Sequence, residues 1–467
     1  MSAMSFPETL TVNAWCGAPV SGALGDAAAR WGVRKQRETL PQFLAADEPP
    51  DLRVWQDVEV GWGLVLPENE AIAAAARATA DDAPEPIRSL VAARGNAPVF
   101  RYRNDLLNTK IRRYAADGRA RDLDITDSER GIGDLKLPRY MLIYATPAVI
   151  PWSFQYVLGQ STFVGRLDLE GDGLVNYVSA LIDDWASAKC HADQPVVWSV
   201  NHGHPDITWL MHGVIAKPVM AKLLQDNDIG DKAHSITGAA ATVAALRAEL
   251  KARSPAFVVT TSHGMTGPLN DVAVMRQNLG LLVDDQQALL EPAPLLQDWQ
   301  PDGAIWYSHA CCSAGSDSAT SYKGLVAAGS TVERVLDAVA ALGAEVAPLP
   351  KALLGASRPL RAFIGQVEPT FDWTLRAETG QVLTNSLCNA LYNRMHQKQP
   401  ETVGMAFEKV QQHAGQLFSQ LDSLRRDIVK AVDGAKEAAT RTHLAALDRQ
   451  SLVILGDPTV ALPPLGG

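Results

Sequence analysis

This sequence is short of disulfides, of long apolar runs and of basic charge. Its 467 residues hold only five cysteines, Cys16, Cys190, Cys311, Cys312 and Cys388, too few and too scattered for a disulfide framework. No run of about 18 uncharged apolar residues occurs, so no membrane-spanning helix and no membrane partner are expected. The opening Met1-Ser-Ala-Met-Ser-Phe-Pro7 has neither the basic flank nor the apolar stretch of a signal peptide. These absences set the expected location in a reducing cytoplasm. Acidic residues (52) outnumber basic ones (42), for a net charge of −10. Phosphate binding wants a concentrated basic surface, so nucleic acid is not an expected partner. A Gly-rich phosphate loop and a Rossmann fingerprint are also missing, which argues against a nucleotide enzyme, and no cofactor is expected. What remains is globular: 47% hydrophobic and 20% charged residues exclude disorder as the main state.

Six short, nearly continuous apolar segments read as buried strands: Tyr140–Ala145, Pro195–Val200, Ala256–Thr261, Ala304–Ser308, Leu360–Gly365 and Ser451–Gly456. Helical text lies between them at Leu174–Ala188, Ala240–Arg253 and Thr331–Leu342. Strands without alternation, interleaved with helices, predict an α/β fold with a largely parallel sheet covered on both faces. From Val403 to Arg449 apolar residues recur three or four apart (Ala406, Val410, Ala414, Leu417, Leu421), an amphipathic helix with a break expected at Gly434. Before residue 136 the text is harder to read. Ala78–Pro98 reads as a linker around one short helix, and the charged stretch 112–133, without apolar period, as an exposed loop. The expected division is 1–135 of unread role, 136–235 an N-terminal α/β lobe, and 236–467 a second lobe.

In parallel sheets, reactive groups collect just beyond the carboxyl ends of strands. The Ala256–Thr261 strand runs into Ser262-His263-Gly264, and Ala304–Ser308 runs into His309-Ala310-Cys311-Cys312-Ser313. The two reactive residues stand 48 positions apart (311 − 263). A nucleophilic cysteine needs a proton-transfer partner and backbone N–H groups free to approach a carbonyl oxygen. His263 supplies the first, with Gly264 and the amide of Cys311 as candidate oxyanion donors. The small polar residues after Cys311 lead towards helical text, so a helix N-terminus is expected to favour the thiolate. Cys312 is the alternative nucleophile. A rival pattern follows the Pro195–Val200 strand: His202-Gly-His204-Pro-Asp206 could hold zinc in a metal-dependent hydrolase.

The strand-His-Gly and strand-Ala-Cys pair resembles the caspase-like cysteine peptidases, the group of caspases, metacaspases, gingipains and separase. Val149-Ile-Pro151, Phe163-Val-Gly-Arg-Leu167 and Leu455-Gly-Asp-Pro458 are closest to gingipain-like and bacterial caspase-like chains, and the resemblance covers roughly residues 138 to 462. It implies a caspase-like three-layer α/β/α sandwich in two lobes, and a cysteine endopeptidase with His263 and Cys311 as the dyad. The sequence departs from the family at His309, where an acidic residue or Gln is usual, and at Ala145-Thr146, which replaces a Gly-Asp pair. The resemblance also implies cleavage after Arg or Lys, with Asp317, Glu368, Asp372 and Trp373 as candidate substrate-binding residues. The Arg-rich stretch 112–130 would then be a candidate self-cleavage site. It permits a role in bacterial defence with an activating protein partner. A catalytically inactive scaffold of the same fold is the other alternative.

Overall fold

In the computed structural model, residues 9–25, 28, 50–377 and 380–465 are described. A single sheet of 12 strands runs through the molecule. Its order, edge to edge, is His234–Thr237, Val196–Ser199, Phe257–Thr261, Ile305–His309, Ala362–Gln366, Leu452–Gly456, Phe163–Leu167, Tyr140–Tyr144, Trp62–Pro67, Val99–Tyr102, Lys110–Tyr114 and Ala120–Asp124. Pairing is parallel except where Leu452–Gly456 meets Ala362–Gln366 and on both sides of Lys110–Tyr114. Strands from each of the stretches 1–135, 136–235 and 236–467 hydrogen-bond into this sheet. All six expected strands are present within a residue or two of their expected limits.

The central strands Phe257–Thr261, Ile305–His309 and Ala362–Gln366 are buried on every residue, which requires cover on both faces. The amphipathic text at the end forms two helices, Val403–Val429 and Ala435–Gln450, broken by Gly434 at φ +71°. Val403, Ala406, Phe407, Val410, Ala414, Phe418 and Leu421 make up the buried stripe of the first. The helical stretch Ile207–Gln225 differs from expectation. Over 19 residues it is apolar enough by length and composition to cross a membrane, with a mean hydropathy of 1.2. Half of that window is buried, however, with Ile207, Met211, Ile215, Val219 and Leu223 facing the core.

The stretch 112–133 corrects the sequence reading. Instead of an exposed loop, Lys110–Tyr114 and Ala120–Asp124 form a hairpin at the sheet edge. Ile111 and Leu123 pair across it and point inward, while Arg112 and Asp122 pair alongside with an ion contact of 2.6 Å. Charged residues here are the solvent side of an edge strand, which also discourages unwanted strand pairing.

Two short motifs of the sequence meet in space. Arg166 pairs with Leu455 across adjacent strands, and a Cβ on Gly165 would overlap the carbonyl oxygen of Gly456. Asp457 accepts a hydrogen bond from Trp62 Nε1 at 2.9 Å and lies 3.6 Å from Arg94. Arg166 is fully buried, donating to Gln155 Oε1 at 2.8 Å and to the Ala145 carbonyl at 3.0 Å over the Trp152 ring. Both motifs thus bind the middle of the sheet together.

Candidate active site

Three loops converge at the carboxyl ends of neighbouring parallel strands. Phe257–Thr261 lies between Val196–Ser199 and Ile305–His309, with Thr261 in register with both Ser199 and His309. The loops that follow carry Asp206, His263 and Cys311. After Ser262 the chain leaves the large sheet, and His263–Met265 joins a second sheet ordered Leu282–Val283, His263–Met265, Thr9–Trp15, Pro19–Ala23. The His263 and Cys311 loops touch through backbone: a Cβ on Gly264 would overlap the Cys311 carbonyl oxygen, so only glycine fits there.

His263 is fully buried, and its Nε2 lies 3.1 Å from Asp206 Oδ2. Asp206 is itself fixed as the N-cap of Ile207–Met211, accepting the Thr208 N–H at 2.8 Å. Burial works to raise the Asp206 carboxyl. The hydrogen bond and charge of His263, with the donors of Thr208, outweigh it and hold the carboxyl at about 2. The other ring nitrogen, Nδ1, is buried with no hydrogen-bond partner among the described residues. The imidazole is therefore anchored at one nitrogen and free at the other, the arrangement a proton-transfer group needs.

Cys311 is fully buried, and its Sγ receives the Thr370 N–H at 3.1 Å. Burial pushes the thiol well up, with the Thr370 hydrogen bonds acting weakly the other way. Cys312 differs. It sits at φ +56°, a left-handed conformation uncommon for cysteine, and burial and the neighbouring Cys311 push its thiol up as well. The turn closes through hydrogen bonds from Cys312 N–H to the Glu368 carbonyl (3.3 Å) and from Gly315 N–H to the Cys312 carbonyl (3.0 Å). A Cβ on Gly280 would overlap the Cys312 carbonyl oxygen, so this turn is packed against glycine as the first is. Among the described residues the Cys311 N–H makes no hydrogen bond.

Other expected features fall differently. The segment after Cys311 does not open a helix; it turns and pairs as Gly315–Ser316 with Glu345–Val346, and the next helix begins at Thr331. The segment after Cys311 therefore offers the thiol no helix N-terminus. His309 is buried, contacts Tyr307 Oη through Nδ1 at 3.0 Å, and is driven down to about 3 by burial and then by Arg449. It stays neutral at ordinary pH.

The four expected substrate-binding residues are scattered in role. Glu368 is buried, accepts the Ser321 N–H at 3.0 Å, and is raised to about 7 by burial. Asp317 is partly buried and raised by burial against the Ser318 donors. Asp372 is likewise raised, and its Oδ1 receives the Thr11 N–H at 3.3 Å. Trp373 packs against the apolar cluster that contains Cys311 and Phe371. Burial makes all three carboxyls poorer partners for a cation.

The His202-x-His204-x-Asp206 pattern does not close on a metal point. Among the described residues no group of three or more His, Cys, Asp or Glu side chains is arranged to hold a metal ion. His202 Nδ1 faces Asp285 at 3.7 Å, His204 packs edge-on against Trp209, and Asp206 is spent on His263 and Thr208. The side chains diverge because Asp206 caps a helix while the histidines precede it.

Sequence reading missed two participants. Asp206 was visible, but only as a zinc ligand; its place at the end of the strand adjoining the histidine strand was the available signal. The Thr9–Trp15 strand was unread. Trp15 lies tilted beside His263 (ring centroids 5.4 Å apart) and stacked near His202 (6.5 Å), and is buried as His263 is.

No family model matches this chain. No curated protein matches it either. A solved structure described as "Structure of Protease" is similar at a TM-score of 0.42 and 12% identity, over 70% of this chain and 65% of that one, less than two thirds of its length. A likeness so distant leaves the activity to be argued from this chain's own residues.

Proposed function

We propose that the protein is a cysteine endopeptidase acting through Cys311 and His263. The reading rests on the convergence at one sheet end of a histidine anchored by Asp206 and a cysteine whose loop it touches through Gly264. His263 takes the proton of the Cys311 thiol as the sulfur attacks a peptide carbonyl, and gives that proton to the leaving amine, so that a thioester and a free amine form. His263 then takes a proton from water, the water oxygen displaces the sulfur, and the acid product leaves with the thiol restored. The Gly264 and Cys311 N–H groups hold the oxyanion in both steps. Cys311 is preferred over Cys312 because it carries the Thr370 donor at 3.1 Å on sulfur and adjoins Gly264. Asp206 positions the imidazole and supports its charged form.

Glu368, Asp317 and Asp372 are all raised by burial, which weakens them as partners for an Arg or Lys side chain. Substrate class is accordingly left at extended peptide. The test is a peptide-library digest with the full chain, with a site-opening variant such as Trp15→Ala, and with Cys311→Ala and His263→Ala. Cleavage that disappears in the last two is expected. No cleavage by the wild type or the opened variant would favour a binding scaffold.

A further inference from the structure

Residues Thr11–Trp15 cross the site in an extended conformation, with Pro19–Ala23 along one edge and two site segments in turn along the other. First they run antiparallel to residues 370–372: the Asn13 N–H donates to the Thr370 carbonyl at 2.9 Å, Val12 bridges Phe371, and the Thr11 N–H donates to the Asp372 carboxylate. That same Thr370 carbonyl lies 3.9 Å from Cys311 Sγ. Further along the same edge they run parallel to His263–Met265, with Ala14 opposite Gly264 and Trp15 opposite Met265. Here the Trp15 carbonyl accepts the Thr266 N–H at 2.9 Å, while the Met265 N–H is given to Leu281 at 2.9 Å. A parallel ladder of this register and phase aims the Gly264 N–H at the carbonyl of Asn13. The Asn13–Ala14 peptide bond thus has its carbonyl directed at the candidate oxyanion donor, beside the candidate nucleophile, with Trp15 against the candidate base.

We propose that Thr11–Trp15 is a self-supplied peptide lying in the substrate groove, which holds the enzyme latent until this strand is displaced. The proposal rests on the peptidase reading above, and assigns the groove: peptides add as a strand along the edge formed in turn by residues 370–372 and 264–266, selected chiefly through main-chain hydrogen bonds. Two observations say why the occupant stays and why it can leave. It is tethered by its hairpin partner Pro19–Ala23, by the Leu24–Val326 bridge and by the Gly25 N–H bond to the Leu325 carbonyl at 3.2 Å. Yet Asn13 is fully buried with neither side-chain atom hydrogen-bonded among the described residues, a mismatch that weakens its hold. A substrate or partner strand that satisfies the groove better would displace it.

The test reads access to the Cys311 thiol rather than turnover. Iodoacetamide labelling of the full chain is followed by peptide mapping, for wild type, Asn13→Pro (which removes the N–H given to Thr370) and Trp15→Asp. Labelling of Cys311 is expected to rise at least about tenfold in both variants, at a far-UV CD spectrum like wild type, because local opening no longer limits it. Unchanged labelling in both variants would overturn the proposal. Should neither variant fold, hydrogen exchange on the wild type decides: strong protection of the Asn13 and Gly264 amides is expected, and fast exchange at both would overturn it. Fast labelling in the variants without any Cys311-dependent cleavage would remove the peptidase reading and leave the occupied groove standing. Cys311-dependent cleavage at equal rates in wild type and variants would do the reverse.

Discussion

Asp206 and Glu368 are both carboxylic acids enclosed at the same end of the sheet, on loops flanking the candidate dyad, and they are driven in opposite directions. Asp206 faces His263 and is held at about 2, whereas Glu368 meets the donors of Ser321 and Thr320 and the Asp317 charge, and is raised to about 7 chiefly by burial. One side of the site thus carries charge, while burial holds the other back from ionising. A buried carboxyl is ionised only where a cation or several donors face it; burial alone leaves it protonated. The charged side serves the histidine. On the other side, the Glu368 carbonyl holds the turn that carries the two cysteines.

Substitutions can break this contrast at several strengths. Cys311→Ala should lower Cys-dependent peptide hydrolysis by about 10³-fold or more, read by steady-state kinetics on an opened variant, while Cys312→Ala lowers it less than about tenfold. Gly264→Ala should cost roughly 10²- to 10³-fold in kcat, because the added Cβ displaces the Cys311 carbonyl and with it an oxyanion donor. Asp206→Asn should lower kcat by roughly 10²-fold with little change in KM, since the imidazole loses its anchor while the peptide groove is untouched.

Glu368→Gln sharpens the other side. The folded pKa of Glu368, about 7, lies above its unfolded value. Its contribution is therefore fully present below about pH 4 and lost as pH rises through about 7. Glu368→Gln should flatten the decline of stability between pH 4 and pH 8 by on the order of 3 kcal/mol at most, measured by denaturant unfolding at each pH. Asp206 behaves oppositely: its folded value is depressed, so its contribution is present above the ordinary carboxylate range and fades as pH falls through about 2. No loss traceable to Asp206 is expected between pH 5 and pH 8.

The same contrast separates what the sequence disclosed from what it hid. The inner strands were legible because burial on both faces leaves an unbroken apolar run, as in Phe257–Thr261 and Ile305–His309. Their adjacency, and hence the meeting of the His263 and Cys311 loops, followed from parallel topology. The edge hairpin Lys110–Asp124 was hidden, since half of an edge strand faces water and its Arg and Asp residues read as loop. Asp206 could be seen as a reactive residue, but its partner is 57 positions away, and only the fold decides between histidine and metal. Thr9–Trp15 was unreadable for a further reason: its seven residues make sense only against the segments it binds, 19–23, 264–266 and 370–372.

The central claim is that Cys311, activated through His263, is the nucleophile. Its most direct test is a peptidyl acyloxymethyl-ketone reacted with the Asn13→Pro chain, with and without His263→Ala, and the adduct located by peptide mapping. A single adduct on Cys311, formed at least about 10²-fold more slowly without the histidine, is the predicted result. An adduct on Cys312, or labelling of Cys311 at an unchanged rate without His263, would contradict it.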